Sequence, residues 1–257
     1  MRAYVINLDS AKERWAFVQT SLAGCGLDIE RVQAVDGGTL QRPIPDCSEW
    51  RYRLWHGKTV NVREVGCYLS HLKAIRCFHQ SQERFAMICE DDIRPDPHLA
   101  EVLAQALDHT ATWDILRLSG LNRGTPVPYA SLAHGYRLCI HLSRVGGAGA
   151  YVLNRRAAGT LLSRLPPMRV PLDHALDREW FYRLRASSVF PFPVSQRNHS
   201  LASQIMASRA YKLPAWQRYW TVFPYRAYNE IGRGLTRTAR AIYLCARPSR
   251  TAVARAV

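Results

Sequence analysis

Three consecutive acidic residues, Glu90, Asp91 and Asp92, directly follow the apolar run at residues 85–89. A short apolar run that ends in carboxylates is typical of a buried strand that reaches the carboxyl edge of a sheet, where open α/β sheets bind ligands. Side chains alternate along a strand, so we expect Glu90 and Asp92 on one side and Asp91 on the other. Mg²⁺ and Mn²⁺ bind through one or two carboxylates together with substrate phosphates. The pattern therefore predicts a metal site for a nucleoside diphosphate or triphosphate, with a solvated acidic turn as the alternative.

The composition is that of a folded protein and excludes a disordered one. The 257 residues are 47% hydrophobic, which is enough for a core in one large domain with or without an appendage. We find no charged leader followed by an apolar segment, and no apolar stretch of the ~18 residues that a membrane-spanning helix needs. A cytoplasmic location is therefore expected. The seven cysteines show no CxxC spacing, which predicts reduced core residues and argues against a zinc site or a disulfide framework.

Strand-like and helix-like segments alternate through the first 200 residues, which is the pattern of an α/β fold. Strands are predicted at residues 3–8, 29–35, 85–90, 114–118, 148–153 and 188–192. Helices are predicted at residues 10–22, 62–80, 97–106, 155–165 and 172–185, with a polar loop at 39–60. The glycine-rich residues 146–149 precede a strand and do not open a helix. We therefore expect close backbone packing there, or a loop beside a bound sugar, in preference to a dinucleotide site.

Positive charge is concentrated after residue 200. Residues 201–257 hold nine arginines and one lysine against the single acid Glu230, within a net charge of +15. Apolar residues recur there at helical spacing and arginines fall on the opposite side of the helix. The apolar positions are Tyr228, Ile231, Leu235, Ala239, Ile242 and Ala246, and the arginines are Arg226, Arg233, Arg237, Arg240 and Arg247.

Aromatic residues and an arginine face suit the headgroup region of an anionic leaflet. We therefore predict a domain at residues 1–205 and a helical tail at residues 206–257 that associates with a membrane surface. A helix docked on its own domain is the alternative. No nucleic-acid partner is expected, because the charge is not joined to a recognisable binding module.

Four ordered sequence blocks resemble one known family. They are Val5-Ile6-Asn7-Leu8-Asp9 with Arg14, Ala34-Val35-Asp36-Gly37, Glu64-Val65-Gly66-Cys67-Tyr68-Leu69-Ser70-His71 and Ile88-Cys89-Glu90-Asp91-Asp92. Over roughly residues 1–200 the chain resembles glycosyltransferase family 25, the galactosyltransferase-type enzymes of bacterial lipooligosaccharide and lipopolysaccharide assembly. The resemblance implies a GT-A-like nucleotide-sugar fold with a mixed, mostly parallel sheet, a Mn²⁺ or Mg²⁺ ion, and a UDP-sugar donor, most often UDP-galactose.

The resemblance also implies roles for individual residues. Glu90 and Asp92 would hold the metal, with Asp92 the first choice as a direct ligand. Contacts to the nucleotide sugar would come from Asn7, Asp9, Arg14, Asp36, Ser70, His71 and Asp91. Structural roles stay open as alternatives: a helix cap for Asp9, a surface cation for Arg14, a turn residue for Asp36 and a packed helix residue for His71. His199 is a weaker candidate for a further metal ligand.

An inverting transfer needs a base close to the acceptor hydroxyl. The candidates are Asp173, Asp177 and Glu179. Asp173 and Asp177 are spaced i and i+4 on a predicted helix and so share a face. Asp173 is our choice as the catalytic base, and Asp177 could instead pair with a nearby arginine.

Together these observations predict a metal-dependent glycosyltransferase that moves a hexose, with galactose as the first choice, from a UDP-sugar. The acceptor would be a glycolipid or oligosaccharide of the lipooligosaccharide or lipopolysaccharide kind. The protein would work as a peripheral protein on the inner face of the cytoplasmic membrane. A non-catalytic membrane- or nucleic-acid-binding protein on a degenerate transferase fold is the alternative, and a nucleotidyltransferase is a third hypothesis.

Overall fold

The computed structural model describes residues 1–196 and 212–246. The strands are β1 (Arg2–Asn7), β2 (Asp28–Gln33), β3 (Phe85–Glu90), β4 (Ile93–Pro95), β5 (Ile115–Arg117), β6 (Pro126–Ser131), β7 (Arg137–His141), β8 (Ala150–Asn154), β9 (Ala186–Phe190) and β10 (Val194–Gln196). The helices are α1 (Lys12–Leu22), α2 (Glu49–His56), α3 (Val62–Gln80), α4 (Leu99–Leu107), α5 (Arg155–Arg164), α6 (Leu172–Leu176) and α7 (Ala215–Cys245).

Eight of these strands form one mixed sheet in the order β2-β1-β3-β8-β5-β9-β7-β6, and β4 pairs separately with β10. β1 runs parallel to β2 and β3, and β5 runs parallel to β9. β7 and β8 run antiparallel to each of their neighbours. Six of the eight strands therefore point the same way. This confirms the predicted α/β class with a mixed, mostly parallel sheet flanked by helices.

Alternation of side chains along the strands builds a core on each face of the sheet. Ile6 of β1 and Ile88 of β3 belong to the core that α3 and α5 cover, whereas Val5 and Cys89 belong to the core that α1 and α4 cover. By the same alternation Glu90, one residue after Cys89, falls on the α3 face. The acidic residues after β3 are therefore divided between the two faces by the strand that precedes them.

The structure corrects several predicted elements. Residues 39–60 are not simply a loop, because α2 forms there with Tyr52 fully buried against the core. The helix predicted over 172–185 ends at Leu176 and gives way to turns, in which Arg183 adopts a φ of 55°. The cap of α1 that was left open as a role for Asp9 does not form, since that helix begins after Ala11 without a side-chain cap among the described residues.

Helix α7 lies against the domain with its arginine side inward, in contact with α2, β6 and β7. Arg237 is 5% exposed and pairs with Glu179 at 2.6 Å. The predicted presentation of this face to a membrane is therefore wrong for the buried Arg233 and Arg237 and for the half-buried Arg240. Docking on the domain, the alternative reading, is what the structure shows. Arg247 and the predicted domain boundary after residue 205 lie outside the described residues.

The apolar side of α7 faces outward. Trp216 is 67% exposed, Trp220 74% and Leu235 70%, and the ridge continues through Tyr219, Phe223, Tyr228, Ile231 and Ile242. Within residues 1–196 and 212–246, no helix combines the length and the apolar character needed to cross a membrane. The exposed ridge is therefore an unusually apolar surface on a helix whose other side packs against the domain.

Candidate active site

The acidic residues lie at an edge of the sheet where three strands meet. Ile6 of β1 lies opposite Glu90 of β3, so both parallel strands end at the same level. The neighbouring β8 runs the other way and begins there, and the carbonyl of Gly149 accepts a hydrogen bond from the Glu90 backbone nitrogen at 3.0 Å. This is the edge at which the sequence predicted a ligand site.

Glu90 and Asp92 converge on one side chain, Gln196 at the end of β10. The Nε2 of Gln196 donates to Glu90 Oε2 at 2.9 Å and to Asp92 Oδ1 at 3.5 Å. A Cβ atom at Gly149 would come within 2.9 Å of the Gln196 amide, so the absence of a side chain there lets Gln196 approach both carboxylates. The two carboxylates therefore lie together as predicted, although β3 ends at Glu90 and the turn after it places Asp92.

The electrostatics of this pair suit a divalent cation. Burial, together with the charges of Glu90 and Asp91, raises the pKa of Asp92 to about 6. A bound dication relieves the unfavourable ionisation of a buried carboxylate that lies beside other acidic groups. Because the donor atoms are carboxylate oxygens, the pair fits Mg²⁺ or Mn²⁺. The metal role of Glu90 and Asp92 stays a prediction.

Asp91 points the other way and belongs to a buried polar network. Asn7 Nδ2 donates to Asp91 Oδ2 at 2.6 Å, and Asn7 Oδ1 accepts from Arg31 Nε at 2.9 Å. Arg14 reaches over from α1 to Asp91 Oδ1 at 3.1 Å. Arg14 is thus positioned by an ion pair, and its guanidinium is still partly exposed beside the acidic edge. The predicted donor contacts of these side chains stay predictions.

Asp9 and Asp36 lie in exposed loops at the same edge. Asp9 accepts hydrogen bonds from Arg31 at 2.7 Å and from Gln33, so it ties the end of β1 to β2 and does not cap α1. Asp36 Oδ1 accepts from the Gly38 backbone nitrogen at 2.8 Å, which is the turn role considered from the sequence. Both carboxylates remain open to solvent, and their contacts with a nucleotide stay predictions.

Helix α3 packs unusually close to the loop that carries Asp36. A Cβ atom at Gly66 would come within 2.6 Å of the Gly37 backbone nitrogen. Ser70 Oγ donates to the Gly66 carbonyl at 2.6 Å and accepts from the Val35 backbone nitrogen at 2.8 Å. The hydroxyl of the buried Ser70 therefore binds the loop and does not face the open edge. This geometry gives Ser70 a positioning role.

His71 lies directly beneath Glu90. Its ring is fully buried, with Nδ1 3.0 Å from the Tyr151 hydroxyl and Nε2 3.5 Å from Glu90 Oε1. A fully buried ring cannot touch a donor without moving. The structure therefore favours a role for His71 in positioning Glu90 over the predicted direct contact with the nucleotide sugar.

The structure separates the three candidate bases. Asp177 is 1% exposed, and Arg117 and Arg237 lower its pKa despite the opposing effect of burial. Glu179 is held by Arg237 through two hydrogen bonds, at 2.6 and 2.7 Å. These two carboxylates are structural ion-pair partners, as the sequence allowed for Asp177.

Asp173 differs from the other two candidates, because it is partly exposed and makes a hydrogen bond with the glycine-rich loop. Its Oδ2 accepts a hydrogen bond from the Gly147 backbone nitrogen at 3.4 Å. Its charge also reaches the thiol of Cys67, as do the charges of Glu90 and Asp92. Asp173 therefore lies near the acidic edge, and its catalytic role stays a prediction.

The family model for glycosyltransferase family 25, described as an LPS biosynthesis protein, matches residues 1–176. The chain belongs to glycosyltransferase family 25. A glycosyltransferase 25 family member from Aedes aegypti is 28% identical over 125 residues, which are 44% of this chain and 20% of that protein. Procollagen galactosyltransferase 1-A from Xenopus laevis is 24% identical over 187 residues, 67% of this chain and 30% of that protein. The chain thus spans less than a third of these relatives' length.

Among solved structures, S. aureus TarS is similar at a TM-score of 0.39 and 14% identity, over 73% of this chain and 58% of that one. A TM-score of this size bears on neither substrate nor mechanism. The architecture of this family 25 chain therefore rests on its own sheet topology.

Two residues of the edge had no assigned role in the sequence. Gln196 donates a hydrogen bond to Glu90 of the acidic pair, and Arg31 donates hydrogen bonds to both Asn7 and Asp9. Gln196 ends a short strand late in the chain, and pairing of β10 with β4 brings it next to the acidic triplet. A local pattern gives no signal for a contact between positions 106 residues apart. His199 lies outside the described residues.

Proposed function

We propose that this family 25 chain is a metal-dependent glycosyltransferase that moves a hexose, with galactose as the first choice, from a UDP-sugar to a glycan acceptor. The observation that carries the proposal is the convergence of Glu90 and Asp92 on Gln196 at the carboxyl edge of the sheet. The name of the Xenopus laevis relative, a procollagen galactosyltransferase, supports the choice of galactose. The family description, an LPS biosynthesis protein, supports a lipopolysaccharide-type acceptor.

Transfer breaks the bond between the sugar and the diphosphate and leaves negative charge on the leaving group. A divalent cation supplies Lewis-acid stabilisation of that charge when it is bound. Glu90 and Asp92 would hold the cation, with Gln196 fixing the position of both carboxylates. Arg14, partly exposed beside them, would add positive charge toward the diphosphate.

The acceptor hydroxyl must lose a proton as its oxygen attacks the anomeric carbon in an inverting transfer. Asp173 would accept that proton, since it is partly exposed and free of the arginine pairs that hold Asp177 and Glu179. A base of this kind contributes roughly 10²- to 10⁴-fold to the rate. Asp173→Asn should therefore lower turnover by that order and leave donor binding nearly unchanged.

The donor assignment can be tested by the melting temperature of the full chain with a panel of nucleotide sugars, each with and without Mn²⁺. A ligand that binds the folded state raises the melting temperature by mass action. We expect a metal-dependent rise with a UDP-hexose, largest for UDP-galactose, that is lost in Asp92→Asn and kept in Asp46→Asn, an exposed aspartate away from the edge. Equal rises in the wild type and Asp92→Asn would contradict the metal assignment, and release of pyrophosphate from a nucleoside triphosphate would favour a nucleotidyltransferase.

We further propose that the acceptor is lipid-linked and that the outward ridge of α7 places the protein at the inner face of the cytoplasmic membrane. Trp216, Trp220 and Phe223 are each more than 60% exposed, although burial of such side chains is favourable. Because Arg237 and Arg233 are buried against the domain, the apolar ridge itself would enter the headgroup region. The exposed Arg226 would stay at the level of anionic headgroups.

Sedimentation with anionic phospholipid vesicles tests this placement. The double variant Trp216→Ser/Trp220→Ser should bind roughly 100-fold more weakly, because each lost tryptophan removes about 1.4 kcal/mol or more of favourable burial in the membrane, which is about tenfold in affinity. Trp50→Ser is the matched control, since Trp50 is 63% exposed on α2 and outside the ridge. Equal vesicle binding by all three proteins, or none by the wild type, would refute the membrane role of α7.

A further inference from the structure

Three potential metal ligands of different chemistry meet beneath the acidic edge. They are Cys67 Sγ, a nitrogen of His71 and a carboxylate oxygen of Glu90, and these atoms all lie within 4.8 Å of one another. Cys67 and His71 are spaced i and i+4 on α3, so both side chains project from one face of that helix. Glu90 comes from the end of β3. Zinc bonds of about 2.0 to 2.3 Å in a tetrahedral arrangement place ligand atoms roughly 3.3 to 3.8 Å apart, so these atoms need to approach one another by at most about 1.5 Å to hold one ion.

His71 presents an unpartnered nitrogen to this cluster. The ring is 0% exposed, and its Nε2 has no hydrogen-bond partner among the described residues. Nε2 lies 3.5 Å from Glu90 Oε1, but the two atoms do not form a hydrogen bond. A buried polar atom without a partner is costly, and such atoms in native proteins commonly mark an unrecorded ion or water.

The other ring nitrogen of His71 is already held in the way that metal-binding histidines are held. Nδ1 lies 3.0 Å from the hydroxyl of Tyr151, which is itself buried, and the two rings stack at 5.8 Å. With the ring proton on Nδ1 as donor to Tyr151, Nε2 carries the free lone pair. A partner on the far nitrogen fixes the tautomer and orientation of a histidine ligand.

We propose that Cys67, His71 and Glu90 form a binding site for a thiophilic divalent cation, Zn²⁺ in the first place. A thiolate and an imidazole favour Zn²⁺ over Mg²⁺ and Mn²⁺, which prefer oxygen ligands. Three protein ligands leave a fourth position for water, and Glu90 is partly exposed at the edge of the cluster. Binding requires the Cys67 thiol to release its proton to solvent as the sulfur–zinc bond forms.

The charges around the cluster favour a cation. Burial raises the pKa of the Cys67 thiol, and the charges of Glu90, Asp173, Glu64 and Asp92 raise it further. The same four carboxylates that oppose a free thiolate attract a dication, and a dication deprotonates the thiol it binds. The absence of a CxxC pair argued against zinc in the sequence. That argument considers only sites built from several cysteines, whereas this cluster combines one cysteine with a histidine and a glutamate.

This site is distinct from the Glu90 and Asp92 pair of the proposed function, although it shares Glu90. Glu90 Oε1 faces His71, whereas Oε2 faces Gln196 and the side of Asp92. Zinc on Oε1 would fix the carboxylate whose second oxygen serves the donor metal. His71 and Cys67 are then positioning residues for Glu90.

Metal content and spectroscopy of the full chain test the proposal. The protein is stripped with chelator, loaded with Zn²⁺ or Co²⁺, and freed of excess metal by gel filtration. We expect one equivalent of Zn²⁺ by mass spectrometry and a thiolate-to-cobalt charge-transfer band in the near ultraviolet. Cys67→Ser should lose the band and bind Zn²⁺ about 100-fold more weakly. Loss of a residue that only hydrogen-bonds to a metal ligand costs about 10- to 100-fold, and loss of a direct ligand should reach at least the upper value. Cys77→Ser, a partly exposed cysteine on the same helix, is the matched control and should keep both.

The outcomes separate this proposal from the donor site. Asp92→Asn should keep zinc and lose the Mn²⁺-dependent response to UDP-sugar. Cys67→Ser should lose zinc and weaken that response, and a cooperative thermal transition in chelator would show that it folds. A wild type without stoichiometric zinc, or a cobalt band that survives in Cys67→Ser, would overturn the zinc site. Loss of the band in Cys77→Ser but not in Cys67→Ser would overturn it as well. Zinc binding without any donor response would leave this site standing and the proposed function refuted.

Discussion

Replacing Asp92 with asparagine should stabilise the metal-free protein at neutral pH while it removes metal-dependent donor binding. Burial and the charges of Glu90 and Asp91 raise the pKa of Asp92 from 3.8 to about 6. One pKa unit is worth about 1.4 kcal/mol, so ionised Asp92 opposes folding by up to about 3 kcal/mol. The side chain keeps some contact with water, and we expect the variant to gain about 2 kcal/mol. For a chain of this length that is a rise of about 4 to 8 °C in melting temperature.

The sign of the pH dependence follows from the raised pKa of Asp92. A carboxyl group that holds its proton more tightly in the folded state gives full stability below its unfolded pKa of about 3.9, and this stability is lost as pH rises through about 6. The advantage of Asp92→Asn should therefore be small near pH 4.5 and complete above about pH 7. Asparagine retains the oxygen that accepts from Gln196, so the local contacts are otherwise kept.

Urea unfolding in the presence of a chelator, at about pH 4.5 and about pH 7.5, measures this difference. Asp46→Asn, an exposed substitution of the same type, should unfold like the wild type at both pH values. If Asp92→Asn gained no stability at the higher pH, or gained the same at both, the mutual repulsion inferred for the acidic pair would be refuted. If the variant were more stable yet still gave the metal-dependent donor response, Asp92 would not be the metal ligand.

Other perturbations test how the fold holds the site. Arg237→Ala should lower the free energy of unfolding in urea by about 3 to 5 kcal/mol, because it leaves the buried carboxylate of Glu179 without its partner. An unchanged urea midpoint would refute docking of α7 through this pair. Burial and then His174 lower the pKa of His56 to about 2, so this histidine stays neutral when folded, and stability should fall below about pH 6.5 by up to about 1.4 kcal/mol per pH unit. His56→Phe should remove that slope, and an identical pH profile would count against the buried neutral histidine. Gly66→Ala should cost about 3 kcal/mol or more in the same assay, since its methyl group would press on the backbone of Gly37 at 2.6 Å; a cost below about 1 kcal/mol would contradict the close approach of α3.

The sequence predicted those elements whose patterns are local. The apolar run before Glu90 forms β3, the periodic segment from Val62 forms α3, and alternation along β3 places Glu90 on the α3 face. These features depend on side-chain periodicity, which is written in adjacent residues. The tail helix was also predicted, because its 3.6-residue period extends over many turns.

Several predictions failed where distant contacts override local pattern. The helix expected over 172–185 stops at Leu176, and just beyond it Asp177 and Glu179 are drawn into pairs with Arg117 and Arg237 from elsewhere in the chain. The hairpin of β6 and β7 was not predicted, because its burial depends on the neighbouring β9 and not on alternation within the segment.

By itself the sequence determined the chemistry available to this protein: an acidic triplet at the end of a buried strand, family 25 motifs over the first two thirds of the chain, and an amphipathic basic tail. The tertiary structure decided which of these groups meet. It brought Gln196 between Glu90 and Asp92, set His71 and Cys67 beneath them, and turned the arginines of α7 inward. Local periodicity fixes the face on which a side chain lies, but the partner across that face comes from a remote segment. That partner is settled when the whole chain buries its apolar surface and pairs its charges.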